Sequence, residues 1–241
     1  HYNSGFGSRV AAADDINRDG YPDIVISAPG YDSPLGHQYP GTVDVYSGLD
    51  GSPLAHWQGR NGGRHFGYSI AGVGDIDRDG YPDIAVGLPA FQNDPVLQQG
   101  GVLVFSGLTH SVIRHYQSHE MGDGFGASIS PTGDTNGDFW PDVFIGAPCA
   151  ENGRGSATLL SGENGAILFR ALGEDNTSRL GRSIGSSGSL NRYGFVDLLA
   201  LSSSTALGSI IARFAFIEGL EMPRGDNISS SNPTRVTLKV D

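Results

Sequence analysis

The sequence predicts an all-β fold built from four stacked repeats, and three observations carry that prediction. The dipeptides Phe6-Gly7, Phe66-Gly67, Phe125-Gly126 and Leu180-Gly181 recur at spacings of 60, 59 and 55 residues. Acidic segments beginning at Asp15, Asp75 and Asp134, with an eroded copy beginning at Ser189, keep the same step. The 37 glycines and 13 prolines fall between short apolar runs, where they read as tight turns.

Within the first repeat, residues 7–13, 23–27, 42–46 and 53–58 read as four short strands, and no helical period is present. The second strand of each repeat ends in a small-residue and proline corner: Ser27-Ala28-Pro29, Gly87-Leu88-Pro89, Gly146-Ala147-Pro148, and the degraded Leu201-Ser202-Ser203. Segments such as "GTVDVYSGLDGSPL" then supply a strand, a glycine turn and a further strand. Unbroken apolar runs such as Ile84-Ala85-Val86 fit inner strands covered on both sides. A lone four-stranded sheet cannot bury both faces, so neighbouring units must stack, which is the logic of a propeller or another repeat array. The expected organisation is one domain, 1–241, with repeats at about 5–59, 60–118, 119–173 and 174–217. A polar tail, 218–241, follows, and its "TRVTLKVD" alternates as a closing outer strand would.

Hydrophobic residues make up 38% of the chain, enough for a core, and the formal net charge is -11. That charge argues against nucleic acid or an anionic membrane surface as partner, because both repel an acidic protein. Ten of the 26 acidic residues lie in the three intact acidic segments, so much of the charge reads as cation-binding capacity. The single cysteine, Cys149, excludes an internal disulfide framework. No run reaches the ~20 apolar residues that span a bilayer, so membrane insertion is not expected.

The acidic segments place carboxylates or amides at positions 1, 3, 5 and 9 of a short loop, and a hard cation such as Ca²⁺ takes six to eight such oxygens. In the first loop these are Asp15, Asn17, Asp19 and Asp23, with the Tyr21 carbonyl at position 7. In the second they are Asp75, Asp77, Asp79 and Asp83, with the Tyr81 carbonyl. In the third they are Asp134, Asn136, Asp138 and Asp142, with the Trp140 carbonyl. An EF-hand would need Glu at position 12 and a following helix; here position 12 is Ile26, Val86 or Ile145 and a strand follows. Gly20 and Gly80 sit at the sharp bend, where the third loop has Phe139, so that loop either bends differently or binds less well. The fourth, with Ser189, Asn191, Tyr193 and Asp197, keeps one carboxylate and is expected to bind nothing. Two to three Ca²⁺ ions are therefore expected, in a structural role; the competing reading is a set of solvated Asp-rich turns.

The order Phe-Gly, Asp-x-Asp/Asn-x-Asp-x-x-x-Asp, apolar strand, Gly-Ala-Pro resembles the FG-GAP repeat of integrin α-subunit β-propellers, found also in secreted bacterial proteins. The resemblance covers residues 5 to about 217. It implies a β-propeller of four-stranded blades, with the acidic loop joining the first and second strands of each blade. It also implies a secreted or cell-surface, non-catalytic binding or adhesion module, meeting a protein or glycan partner through loops opposite the calcium sites. Those loops are 30–41, 90–100 and 149–155, with Tyr31, Tyr39 and Phe91 as candidate contacts. The rival reading is an accessory carbohydrate-binding or scaffolding domain of a larger secreted enzyme. Integrin-type propellers resemble seven-bladed rings, so four repeats imply a small ring, or a partial one completed by further blades or another chain.

Other signals are weaker. Gly181-Arg182-Ser183-Ile184-Gly185 matches a hydrolase elbow, but Ser183 holds the register of Ser69 and Ser128, so the repeat accounts for it. His110, His115 and His119 read as surface residues. Arg224-Gly225-Asp226 spells an integrin-binding tripeptide that a chain of this composition also produces by chance.

Overall fold

The computed structural model describes residues 5–32, 38–59, 65–91, 99–187, 197–204 and 211–217. The eroded fourth loop up to residue 196, the Arg224-Gly225-Asp226 triplet and the whole tail lie outside the described residues. The first sheet contains β1 (Arg9–Ala12) and β2 (Ile24–Ala28), then a small hairpin of β3 (Tyr31–Asp32) and β4 (Gln38–Tyr39), then β5 (Thr42–Tyr46) and β6 (Pro53–Gln58). Its order is β1-β2-β5-β6, antiparallel throughout. The second sheet is β7 (Ser69–Gly74), β8 (Asp83–Leu88), β9 (Gln99–Phe105) and β10 (Val112–Met121), and the third is β11 (Ser128–Gly133), β12 (Asp142–Ala147), β13 (Ser156–Leu160) and β14 (Ile167–Leu172). Between β12 and β13, the four-residue element α1 (Ala150–Gly153) is a left-handed turn, with Glu151 and Asn152 at positive φ. Three strands, β15 (Ile184–Ser187), β16 (Asp197–Ser204) and β17 (Ile211–Ile217), form the fourth sheet.

The innermost strands pack in series, β1 beside β7, β7 beside β11 and β11 beside β15. This is the blade arrangement of a β-propeller, and the hydrophobic cores lie between blades. Val25, Val43, Val45 and Trp57 of the first blade meet Phe66, Ile70, Ile84, Val86 and Phe105 of the second. On the other face of the second blade, Ala85, Val102, Val104 and Tyr116 meet Val143, Ile145 and Leu160 of the third. Phe144, Ala157 and Leu159 turn instead to Leu180, Leu198 and Ala200 of the fourth. Period-2 alternation thus feeds two different cores from one strand, which is why β8 and β12 read as unbroken apolar runs.

The Phe-Gly and Gly-x-Pro motifs prove to be the two halves of one interblade joint. Phe66, Phe125 and Leu180 plug these cores at 3%, 8% and 4% exposure, whereas Phe6, with no described blade before it, is 54% exposed. The following glycine turns its carbonyl toward the preceding blade, where it accepts a hydrogen bond from Ser27, Ser69 or Ser128, each at 2.7 Å. A Cβ on Gly87 would stand 2.2 Å from the Gly126 carbonyl oxygen, so the second joint needs glycine there; the first corner has Ser27 at this position, and its own hydroxyl makes the bond to the next turn. Gly181 belongs to this series of turns, which accounts for the elbow-like sequence around Ser183.

Because the strands are antiparallel, the two ends of each blade carry different loops. The acidic loops join first to second strands at one end, together with the Ser-Gly turns after β5, β9 and β13. The Phe-Gly turns and the loops following β2, β8 and β12 gather at the opposite end.

Candidate metal centre

Each acidic loop is shaped by its own backbone amides before any ion is considered. The position-1 carboxylate reaches across the loop and accepts the position-6 amide: Gly20 on Asp15, Gly80 on Asp75 and Phe139 on Asp134, all at 2.8 Å. The position-5 carboxylates of Asp19, Asp79 and Asp138 accept the amides of Tyr21, Tyr81 and Trp140 at 2.9, 2.8 and 2.8 Å. Two positions, the fourth and the sixth, are left-handed. Arg18 and Arg78 at position 4 have φ of 60° and 61°, and Gly20 and Gly80 at position 6 both have 92°. The third loop exchanges the two, with Gly137 at 80° and Phe139 at 72°. It therefore bends as the others do, and Phe139 carries the strain.

The position-9 aspartate ties the loop to a neighbouring turn, a role the spacing alone did not reveal. Asp23, Asp83 and Asp142 are buried at the start of the second strand. One oxygen of each accepts the position-2 amide of Ile16, Ile76 or Thr135 at 2.8, 2.7 and 2.8 Å. The other accepts the amide of Gly48, Gly107 or Gly162 at 3.0, 3.1 and 3.1 Å. The serine before that glycine, Ser47, Ser106 or Ser161, donates to the position-5 carboxylate at 3.4, 3.3 and 3.4 Å. The readable signal was the Ser-Gly pair repeated in "YSGLDG", "FSGLTH" and "LSGENG". A Cβ on these glycines would sit about 2 Å or less from the carbonyl oxygen of Pro22, Pro82 or Pro141.

In the second loop, oxygens of Asp75, Asp77 and Asp83 all lie within 4.8 Å of one another. Asp75 Oδ1 is buried and has no hydrogen-bond partner among the described residues. Burial pushes the Asp83 carboxyl up to about 7, against the amides of Gly107 and Ile76 that favour its ionised form. Asp77 is raised as well, by desolvation and by repulsion from Asp79 and Asp75, with the Asp79 amide opposing. Three converging carboxylates with one unmet buried oxygen form an all-oxygen donor set that suits a hard divalent cation. Among the described residues, no other trio of acidic side chains converges this closely; the first and third loops carry Asn17 and Asn136 at position 3. Asp142 of the third loop is raised by burial, opposed by the hydroxyl and amide of Thr135 and the amide of Gly162.

The loops are also stapled to one another. The Arg18 guanidinium lies 4.4 Å from the centre of the Tyr81 ring and donates to the Gly80 carbonyl, both in the next blade's loop. Arg78 repeats the contact at 4.5 Å over the Trp140 ring of the third loop. The left-handed backbone at position 4 aims each arginine at its neighbour.

At the opposite end, Phe91 lies against His65 at 5.5 Å and Tyr68 at 5.4 Å, both edge-on, and Arg9 stands 5.7 Å from the Tyr68 ring. Tyr31 and Tyr39 are paired partners across the β3–β4 hairpin, and their side chains lie outside what is described. His110, His115 and His119 are exposed, as expected of surface residues.

A family model described as FG-GAP repeat matches residues 6–46 and 66–105. Two segments of this chain thus match the FG-GAP repeat, and the chain is similar to integrin α-subunits. Human integrin alpha-7 is 35% identical over 156 residues, covering 60% of this chain and 12% of that protein. Human phosphatidylinositol-glycan-specific phospholipase D is 33% identical over 155 residues, covering 58% of this chain and 18% of that protein. The chain thus spans less than a fifth of either relative's length. Among solved structures, a Bacillus licheniformis rhamnogalacturonan lyase superposes with a TM-score of 0.51 at 14% identity, covering 81% of this chain and 41% of that one, a likeness of fold alone.

Proposed function

We propose that this chain is a calcium-stabilised, extracellular binding or adhesion module with no catalytic role of its own. The observation that carries the calcium reading is the convergence of Asp75, Asp77 and Asp83 around a buried, unpartnered Asp75 oxygen. The second loop would hold its ion through Asp75, Asp77, Asp79 and Asp83 and the Tyr81 carbonyl. Asp15, Asn17, Asp19, Asp23 and the Tyr21 carbonyl would serve in the first loop. Asp134, Asn136, Asp138, Asp142 and the Trp140 carbonyl would serve in the third. A bound cation supplies positive charge that neutralises the loop; the chain's own residues shape the loop and tie it to the blade.

Binding through the opposite end is supported by the likeness to integrin α-subunits and by the ring cluster of Phe91, His65 and Tyr68. The partner is a protein or a glycan. Phe6, Val10 and Ile24 leave the first blade's outer face apolar and exposed, a surface suited to a further blade of the same chain or of another. The second reading, an accessory domain of a larger secreted enzyme, draws on the likeness to the phospholipase D.

Calorimetric titration of chelator-stripped protein with Ca²⁺, run beside thermal melts, tests the proposal. Two or three sites and a raised melting temperature, with one site lost in Asp75→Asn, are expected. At calcium a hundredfold above Kd, one such site contributes about 2.7 kcal/mol. Absence of binding heat and of any melting shift would refute the calcium reading. Capture of glycan or matrix-protein arrays, weakened by Phe91→Ala, tests the partner end separately; unchanged capture would remove Phe91 from it.

A further inference from the structure

The outer strand of the second blade and the third blade enclose a cleft that neither the calcium loops nor the opposite end uses. The even-numbered side chains of β10 face the third blade across it. Arg114 Nη2 donates to the Glu163 carbonyl at 3.1 Å, and Arg170 Nη2 donates to Glu120 at 2.9 Å. The Tyr116 ring packs near Gly165, where an added Cβ would sit 3.4 Å away. The cleft has a volume of about 390 Å³ and is lined on the third-blade side by Ser156, Thr158, Leu160 and Ile167. That volume is far larger than one small ion requires and lies in the range of small-molecule sites.

The hydrogen bonding inside it is unbalanced in one direction. Glu120 is engaged on both oxygens, by Arg170 at 2.9 Å and by the Glu151 amide at 3.2 Å. Asp123 is engaged on both as well, by the Ser118 hydroxyl and by the Phe125 amide at 2.9 Å. The donors are not. Arg114 Nε and the Tyr116 hydroxyl are buried with no partner among the described residues, and Tyr116 as a whole is 5% exposed. Leaving a buried donor unmet is unfavourable, so two on one strand face mark a place for oxygen acceptors.

We propose that this cleft binds the ring of a hexuronic acid, with its carboxylate received by Arg114 and Tyr116. The guanidinium favours an anionic acceptor over a neutral one. The hydroxyls of Ser156 and Thr158 suit the ring hydroxyls, and Leu160 and Ile167 suit its C–H face. The inference rests on the cleft alone and stands whether or not the acidic loops hold calcium.

The test is an NMR titration of the whole chain with galacturonate or glucuronate, using galactose and inorganic phosphate as controls. Saturable shifts centred on Tyr116, Thr158 and Leu160 are expected from the uronates. Tyr116→Phe should weaken uronate binding about ten- to hundredfold, the loss of one hydrogen bond to a charged acceptor. Its melting temperature should equal or exceed that of the parent, since the variant removes an unmet buried hydroxyl. Arg114→Lys should also weaken binding, because lysine keeps the charge and loses the Nε donor. No saturation by about 50 mM uronate, a range that still detects weak single-sugar binding, would overturn the proposal. So would equal binding of galactose or of phosphate, shifts centred elsewhere, or a Tyr116→Phe chain that melts lower with uronate binding unchanged.

Discussion

Replacing Phe139 with glycine should stabilise this protein, although the substitution deletes a large apolar side chain. Phe139 occupies the sixth position of the third acidic loop at φ 72°, where the other two loops use glycine at 92°. A left-handed backbone costs a residue with a Cβ roughly 1–2 kcal/mol. The ring returns little for that, because the residue is 78% exposed. Glycine gains freedom in the unfolded chain, which subtracts about 0.5–1 kcal/mol. The net gain is about 0.5–1 kcal/mol, a rise of roughly 1–4 °C in melting temperature for a chain of this size. Differential scanning calorimetry of the parent, Phe139→Gly and the double variant Gly137→Arg/Phe139→Gly measures it. The double variant restores the arginine-then-glycine order of the first two loops and should melt close to the parent, since Gly137→Arg puts a Cβ back on left-handed backbone at position 4, where Gly137 has φ 80°. A Phe139→Gly chain that melts at or below the parent would refute the strain argument. It would mean that the exposed ring makes a stabilising contact outweighing the backbone cost.

Three further outcomes are expected. Asp83 titrates near 7 in the metal-free fold and, like any aspartate, near 3.8 in the unfolded chain, so the fold retains a proton that the unfolded chain has released. Metal-free stability from this group is therefore full below the unfolded value and is lost as pH rises through 7. Calcium competes with that proton, so its melting-temperature gain should grow between about pH 5 and about pH 7.5, and a flat or shrinking gain would contradict this. Arg78→Ala removes the guanidinium 4.5 Å from the Trp140 ring and should destabilise the third loop by about 0.5–1 kcal/mol, read as a few-fold weaker calcium affinity and a change in Trp140 fluorescence; an unchanged third site would argue against loop-to-loop coupling. Gly87→Ala places a methyl 2.2 Å from the Gly126 carbonyl oxygen and should lower stability by about 1–3 kcal/mol in urea melts, whereas a near-neutral result would show that the blades can separate there without penalty.

Repeat spacing and side-chain period were sufficient to place most of the strands. The spans expected at residues 42–46 and 53–58 coincide with β5 and β6, because alternation and flanking turns are local properties of the chain. The first strand is shorter than the pattern predicts: residues 7 and 8 belong to the Phe-Gly turn, which is held by Ser8 bonding back to Gly5 and cannot be told from a strand start by pattern alone. Likewise, the acidic loops were legible from their carboxylate spacing, since a loop that wraps an ion must present oxygens at fixed intervals.

What the sequence determined by itself was therefore local: which residues form strands, where the chain turns, and which loops are rich in oxygen donors. Tertiary structure decided how those parts answer one another across blades. The glycine of the second and third corners leaves room for the next blade's Phe-Gly carbonyl, and the position-9 aspartate holds a turn twenty or more residues away. Arg18 and Arg78 serve the following loop rather than their own. These pairings recur once per repeat, but no local side-chain period marks which residues meet, because each joins residues from 20 to 63 positions apart that come together only after the sheets have stacked. The cleft beside Tyr116 arises the same way: its two unmet donors lie on one strand, and only the arrival of the third blade buries them.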